Sequence, residues 1–141
     1  MPITGSCLCG NVKITVNDGG LPLKPVVCRC TNCQQTAGSV FSLVALLPKE
    51  HVEISGETTA YRDDTTSSGN HSFRRFCPTC GSPVQTVSPS RDTLAIIKMG
   101  LFAKSSAWGK EIQPPQSQIF TRNKKDWEPL VEGSAVVDGA P

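Results

Sequence analysis

Seven cysteines, gathered in three short groups, restrict the structures that this 141-residue chain can adopt. The opening residues, MPITGSCLCG, have neither the basic nor the apolar region of a secretory signal, so we expect an intracellular, cytoplasmic protein. Thiols stay reduced there, and an odd number of cysteines cannot all pair, so metal ligation is the better interpretation. The groups are Cys7 with Cys9, then Cys28, Cys30 and Cys33, and finally Cys77 with Cys80.

The last group has the sequence of a zinc knuckle. In CPTCG, Pro78 and Gly81 favour a tight turn that brings the sulfurs of Cys77 and Cys80 to one point. The other two groups each begin with C-x-C, which on an extended strand places both side chains on one face, ~6.6 Å apart. A modest bend would let both sulfurs reach a zinc ion with bonds of ~2.3 Å.

A knuckle supplies two ligands and needs two more, which Cys7 and Cys9 can provide. The resulting four-cysteine site is closed and therefore structural. Cys28, Cys30 and Cys33 then form a three-cysteine site with one open position, as catalytic zinc requires. Spacing leaves an alternative open, a single zinc ribbon with ordinary thiols elsewhere. Its ligands would be Cys30, Cys33, Cys77 and Cys80.

Short alternating segments predict a mainly β fold in a single domain over residues 1–130, with a mobile tail over 131–141. Helical signal is thin: TNCQQTAG predicts one turn that ends at Gly38, and NKKDWEPL predicts another. The predicted strands are GNVKITVND, PVVC, SVFSLVALL, HVEISG, TTAYRD, HSFRRF, SPVQTV, TLAIIKMG and SQIFTR.

Charge and hydropathy argue against two classes of partner. The net charge is +2, and the one basic cluster of note is Arg122, Lys124 and Lys125, so we expect no nucleic-acid partner. No apolar run approaches the ~20 residues that a membrane-spanning helix needs. The sequence indicates no particular oligomeric state.

Three segments resemble the glutathione-dependent formaldehyde-activating enzyme family, which includes centromere protein V-like proteins. They are GSCLCGNV, CRCTNCQQTAGSVFS and FRRFCPTCGSPV, and the resemblance runs from Gly5 to about Trp127. It implies a β-tent of short antiparallel strands with little helix and two zinc ions per chain. The structural zinc would lie on Cys7, Cys9, Cys77 and Cys80, and the catalytic zinc on Cys28, Cys30 and Cys33.

The resemblance also implies an activity, that of a carbon–sulfur lyase similar to S-(hydroxymethyl)glutathione synthase, with glutathione and formaldehyde as small-molecule substrates. Three thiolates give a zinc site a formal charge of −1, a weak Lewis acid that suits a thiolate as its fourth ligand. Two alternatives remain. The zinc could act as a Lewis acid in a lyase, dehydratase or isomerase for a non-thiol molecule, or the protein could be a non-catalytic, zinc-stabilised binding module.

Three arginines near the cysteines are further candidates. Relatives often have His in the middle of the first C-x-C of the three-cysteine loop, where this chain has Arg29. We expect its side chain to point away from Cys28 and Cys30, although a guanidinium there could alter what approaches the site. Arg74 and Arg75 alternate along a strand, so at most one faces any given site, where it could hold a substrate carboxylate.

Overall fold

The computed structural model describes residues 1–140 and contains eleven β-strands and one α-helix in that range. Every predicted strand has a counterpart. In chain order the strands are β1 (Ile3–Ser6), β2 (Lys13–Val16), β3 (Val26–Cys28), β4 (Ser42–Pro48), β5 (Val52–Ser55), β6 (Thr59–Asp63), β7 (Ser72–Phe76), β8 (Pro83–Val87), β9 (Leu94–Lys98), β10 (Ser117–Ile119) and β11 (Ala135–Val136). The helix is α1 (Thr31–Ala37), and short 3-10 helices span Asp18–Gly20, Lys49–His51, Pro89–Arg91, Met99–Phe102 and Thr121–Asn123.

The strands form two sheets. One has three antiparallel strands in the order β1-β2-β5, and the other has eight in the order β11-β10-β3-β4-β9-β8-β7-β6. The prediction of antiparallel strands holds for all pairs except two, since β10 runs parallel to both β3 and β11. Consequently β3, which carries Cys28, lies between its antiparallel neighbour β4 and a strand from the last quarter of the chain.

The hydrophobic core contains residues of both sheets. In β2 the buried Ile14 and Val16 alternate with more exposed neighbours, as the period of a half-buried strand requires. They pack in one cluster with Ala45 and Leu47 of β4 and with Ile97 of β9. The cores of the two sheets are therefore continuous, and the molecule has mainly β structure with one helix.

Two strands and one helix differ from the sequence-based prediction. The pattern missed β1 and β11, which are short and contain few buried residues. A helical turn over NKKDWEPL is wrong, because its first residue ends the 3-10 helix Thr121–Asn123 and residues 124–130 form a turn and irregular backbone. Pro129 disfavours helical backbone at Glu128, whose carboxylate is turned inward to Arg29.

The C-terminal tail contains β11, which extends the large sheet beside β10. Its predicted mobility stays a prediction, and residue 141 lies outside the described residues. None of the helices described over residues 1–140 is both long and apolar enough to cross a membrane.

Candidate metal centres

Four cysteines from two distant segments of the chain meet at one point. The sulfur atoms of Cys7, Cys9, Cys77 and Cys80 all lie within 4.8 Å of one another. The Cys9 sulfur is 3.6 Å from that of Cys7 and 3.7 Å from that of Cys77. Zinc–sulfur bonds of ~2.3 Å give a tetrahedron whose edges are about 3.8 Å. The two distances from Cys9 match this edge, and the four sulfurs together could hold a tetrahedral metal ion.

Two glycine turns place these sulfurs. The Gly81 N–H donates to the carbonyl of Cys77 at 2.9 Å, which closes the predicted knuckle. Cys7 and Cys9 are not extended as C-x-C predicted, because the Gly10 N–H donates to the carbonyl of Cys7 at 3.1 Å and makes a second turn. Gly10 and Gly81 have φ of 84° and 76°, a conformation that favours glycine.

Ser82 links the two turns and was not recognised from the sequence. Its hydroxyl oxygen accepts a hydrogen bond from the Leu8 N–H at 3.0 Å and lies 3.2 Å from the Cys80 sulfur. The hydroxyl, followed by the Ser82 backbone N–H, lowers the pKa of Cys80 to about 5. A serine directly after CPTCG is the signal that would have identified it. These hydrogen bonds favour the thiolate that metal binding requires.

The other three cysteines form a separate group at the start of α1. The sulfurs of Cys28, Cys30 and Cys33 also lie within 4.8 Å of one another. Cys28 ends β3, and Cys30 caps α1 by accepting a hydrogen bond from the Cys33 N–H at 3.2 Å. The helix ends, as predicted, at Gly38, whose left-handed φ of 63° suits glycine. The end of β3 and the first turn of α1 therefore bring the three sulfurs together.

Two cations lie beside this group. Hydrogen bonds from Cys28 and Cys30 hold the pKa of Cys33 well below its usual range, and the charges of Lys98 and Arg74 lower it further. Sequence reasoning did not identify Lys98, although a lysine that ends the apolar run LAIIK is an unusual feature. The surroundings therefore favour negative charge on Cys33. Hydrogen bonds with Cys30 and Cys33, followed by burial, raise the pKa of Cys28, and the pKa of Cys30 is raised as well.

Arg74, rather than Arg75, faces the three-cysteine group. Its Nε donates to Asp63 at 2.8 Å, and Asn32 Nδ2, from α1, donates to the same carboxylate oxygen at 2.8 Å. Burial raises the pKa of Asp63, but hydrogen bonds from Thr65, Arg74 and Asn32 outweigh it, so the net pKa is lowered. The Asp63 carboxylate therefore holds the Arg74 guanidinium beside the three-cysteine group.

Arg29 does not face the approach to the sulfurs, which corrects the expectation that its guanidinium could alter what enters. Its side chain is 1% exposed, and its Nε donates to Glu128 at 2.6 Å. The Nη1 donates to the Gln118 side chain at 2.9 Å, and the guanidinium lies 5.7 Å from the centre of the Phe41 ring. The ion pair between Arg29 and Glu128 joins the three-cysteine loop to the C-terminal quarter of the chain.

A groove of about 1200 Å³ runs along the N-terminal strand and reaches Thr36 and Lys98. Its charged side chains are those of four lysines and one glutamate, which favours anionic ligands. The three cysteines do not line the groove, whereas Thr36 of α1 and Lys98 do. Lys98 also lines a smaller cavity of about 210 Å³ with Arg74 and Tyr61. The five charged residues of the groove are Lys13, Lys98, Lys104, Lys110 and Glu111.

The seven cysteines thus form one group of four and one group of three, and no ribbon joins Cys30 and Cys33 to Cys77 and Cys80 within the described chain. Four sulfurs complete a tetrahedron, whereas three leave a position for a ligand. Either group could hold a metal ion. The structural role of the first group and the catalytic role of the second stay predictions.

Comparison with known proteins gives one family. The family model described as glutathione-dependent formaldehyde-activating enzyme matches residues 2–123. Curated relatives named for this activity include a protein of Aspergillus oryzae, 38% identical over 34% of this chain and 25% of its own. Another, from Talaromyces marneffei, is 34% identical over 53% of this chain and 39% of its own. The matched segments thus span less than half of these relatives.

A solved structure shares the fold. A crystal structure of a Rhodobacter sphaeroides protein superimposes with a TM-score of 0.52 over 70% of this chain and 86% of that chain. The two sequences are 19% identical, so the likeness concerns the fold alone.

Proposed function

The chain belongs to the glutathione-dependent formaldehyde-activating enzyme family, and from this we propose that it is a zinc-dependent carbon–sulfur lyase that interconverts glutathione and formaldehyde with S-(hydroxymethyl)glutathione. We propose two zinc ions per chain, a structural one on the four-cysteine group and a catalytic one on the three-cysteine group, within a β-tent fold. The observation that carries this proposal is the separation of the cysteines into a complete set of four and an incomplete set of three.

The catalytic group would hold its ion through Cys28, Cys30 and Cys33, each a thiolate in the bound form. When bound there, zinc supplies a positive centre that favours a thiolate as its fourth ligand and polarises a nearby carbonyl group. Arg74 and Lys98 complement the negative charge that three cysteine thiolates and a substrate thiolate would bring together. The lysine-lined groove has the charge to attract glutathione, which is an anion.

The addition itself is simple in its balance of atoms and electrons. The glutathione thiolate sulfur forms a bond to the formaldehyde carbon while the carbonyl π electrons move to oxygen, which then takes a proton from solvent. The reverse reaction breaks the same carbon–sulfur bond. Because thiols add to formaldehyde unaided, the contribution of the protein would be to hold both reactants together. All seven cysteines are free thiols in the structure, as the proposed cytoplasmic location would keep them.

A second candidate is favoured by the buried Lys98 beside the three-cysteine group. A cation there would also stabilise the oxygen of an enolate or another carbonyl compound that has no thiol. Under that proposal the protein is a zinc-dependent lyase, dehydratase or isomerase for a small non-thiol molecule.

Exchange NMR on a mixture of glutathione and formaldehyde separates the two candidates. We expect catalytic amounts of zinc-loaded protein to increase the exchange rate between free glutathione and the adduct, and Cys33→Ser to abolish the increase. An unchanged exchange rate with fully loaded wild-type protein would rule out the first candidate. A protein that accelerates neither this exchange nor proton exchange of small carbonyl compounds would fit a binding module instead.

A further inference from the structure

Lys98 is a buried cation with few hydrogen-bond partners. Its residue is 8% exposed, and the one hydrogen bond of its Nζ is to the hydroxyl of Ser42 at 3.3 Å. Within residues 1–140 no carboxylate lies at ion-pair distance from it. An ammonium has three N–H donors, and burying such a group is unfavourable unless something accepts them. The fold therefore keeps two donors of Lys98 available in its interior.

The position of Lys98 places these N–H donors near the three-cysteine group and at two cavities. It ends β9, and its Nζ donates to the hydroxyl of Ser42, which lies opposite Cys28 where β4 pairs with β3. Burial lowers the pKa of Lys98, and the negative charge of Cys33 opposes this shift. Lys98 also lines both the large groove and the smaller cavity that contains Arg74, whereas the three cysteines of this group line neither. A molecule in either space can therefore contact the ammonium of Lys98.

We propose that Lys98 Nζ is a binding site for an oxygen atom of the substrate, a carbonyl or carboxylate oxygen that carries or gains negative charge beside the three-cysteine group. Ser42 accepts one hydrogen bond from the ammonium, and its remaining N–H groups donate to the substrate oxygen. The catalytic role of this site rests on the proposed function: as the carbon–sulfur bond forms and the carbonyl electrons move to oxygen, Lys98 stabilises that oxygen until solvent protonates it.

A different role would leave Lys98 in the same place. Its charge could merely offset the three thiolates, without any contact to substrate. That role predicts that removing the charge weakens metal binding and leaves the binding of oxygen ligands to the loaded protein unchanged. Our proposal predicts the opposite pattern.

The test uses formate, a small carboxylate, as the probe and the zinc-loaded full chain as the receptor. Titration followed by the line width of ¹³C-formate gives its affinity. We expect Lys98→Met to weaken formate binding about 10- to 100-fold, the effect of losing one charge-assisted hydrogen bond, with the zinc content unchanged. Lys24→Met is the control, since Lys24 is exposed and lines neither the groove nor the smaller cavity, and it should change the affinity less than about twofold.

Two results overturn the proposal. One is equal formate affinity in wild type and Lys98→Met at equal zinc content. The other is loss of zinc from the three-cysteine group in both Lys98→Met and Lys98→Gln, which would assign Lys98 to charge compensation alone. If Lys98→Met does not fold, Lys98→Gln, which keeps an N–H donor but no charge, takes its place and should show a smaller loss of affinity.

Kinetics separate this inference from the proposed function. In the glutathione–formaldehyde reaction Lys98→Met should lower kcat at least 10-fold with a smaller change in the KM for glutathione, since the lost contact is to the reacting oxygen. If wild type shows no such activity while formate binding still depends on Lys98, the proposed function fails and the oxygen site stands.

Discussion

The ion pair between Arg29 and Glu128 is fully enclosed, with side-chain exposures of 1% and 5%. Taking two charges out of water is unfavourable, and here good geometry and added hydrogen bonds offset it. The second carboxylate oxygen of Glu128 accepts from the Lys125 N–H at 3.2 Å, and the Arg29 carbonyl accepts from Asn123 and Gln34. Each buried charge therefore depends on the other as its ion-pair partner.

We expect Arg29→Met to lower the free energy of unfolding by about 3 to 5 kcal/mol, because it leaves the Glu128 carboxylate buried without its cation. Urea denaturation measures the change. Adding Glu128→Gln to Arg29→Met should recover part of the loss. The exposed pair Arg62–Asp64 is the control, since Arg62→Met should cost less than about 1 kcal/mol. Similar losses at both arginines would contradict this interpretation.

Asp63 makes the stability of the protein sensitive to acid. Its pKa is lower in the folded protein than the ordinary value of 3.8, because Thr65, Arg74 and Asn32 stabilise the carboxylate. The unfolded chain therefore binds this proton at higher pH than the folded protein does. The stabilisation is fully present above about pH 4 and is lost as the pH falls through the lowered folded pKa.

The variant Asp63→Asn tests this dependence. At neutral pH it should be less stable than wild type, and the difference should shrink steadily as the pH falls below 3.8, the ordinary pKa of the carboxyl group. Chemical denaturation at a series of pH values provides the measurement. A stability difference that stays constant from pH 7 to the acid limit would show that Asp63 acts through packing rather than through its charge.

At the level of whole elements, the strand β1 approaches the 3-10 helix Met99–Phe102 closely at Gly5. A Cβ atom at this position would contact the carbonyl oxygen of Leu101, in the 3-10 helix Met99–Phe102. The close approach is what lets the N-terminal strand pack on the segment that follows β9, and Lys98 is the residue before that 3-10 helix.

Gly5→Ala should therefore lower the free energy of unfolding by about 1 to 3 kcal/mol, since backbone must move to admit a methyl group. Thermal denaturation followed by circular dichroism measures it. Gly100→Ala, in the same 3-10 helix, is the matched control, because its Cβ would meet no atom within 4 Å. If the two substitutions cost the same, the contact with Leu101 is not what limits position 5.

The sequence predicted those structural features that depend on residues close to one another in the chain. The turn around Gly81, the helix that ends at Gly38 and the strand of Ile14 and Val16 all follow from local patterns of turn residues and alternation. It did not predict β1, where one buried residue in four leaves no alternation to detect.

The unpredicted parts of the site come from pairings between distant segments. Lys98 reaches the cysteines through the pairing of β9 with β4, in which it lies opposite Val44. Glu128 reaches Arg29 across 99 positions of sequence. Periodicity carries no information on such pairings, so a buried cation and its partner look like two ordinary charged residues in the sequence.

Across the chain as a whole, the four-cysteine group joins segments that are 68 residues apart at Cys9 and Cys77. Metal bound there would stabilise the folded state directly, because the unfolded chain does not hold the four sulfurs together. The three-cysteine group joins residues within one short loop, so its metal would constrain the fold much less.

We therefore predict unequal effects of the two groups on stability. Cys80→Ser should unfold the protein or lower its melting temperature strongly, whereas Cys33→Ser should remain folded and lose one of two zinc ions. Metal analysis and circular dichroism on the purified variants provide the measurement. Global unfolding of Cys33→Ser would contradict the proposed division of roles.

The parallel pairing of β3 with β10 has a consequence for the protein during its synthesis. Residues 28–33 are added to the growing chain about 100 residues before Glu128, which at ~5 to 20 residues per second is roughly 5 to 20 s. For that interval the nascent loop has neither β10 beside it nor the carboxylate that secures Arg29. We expect that the three sulfurs meet their first metal ion, or their first oxidant, on a chain that is still being made.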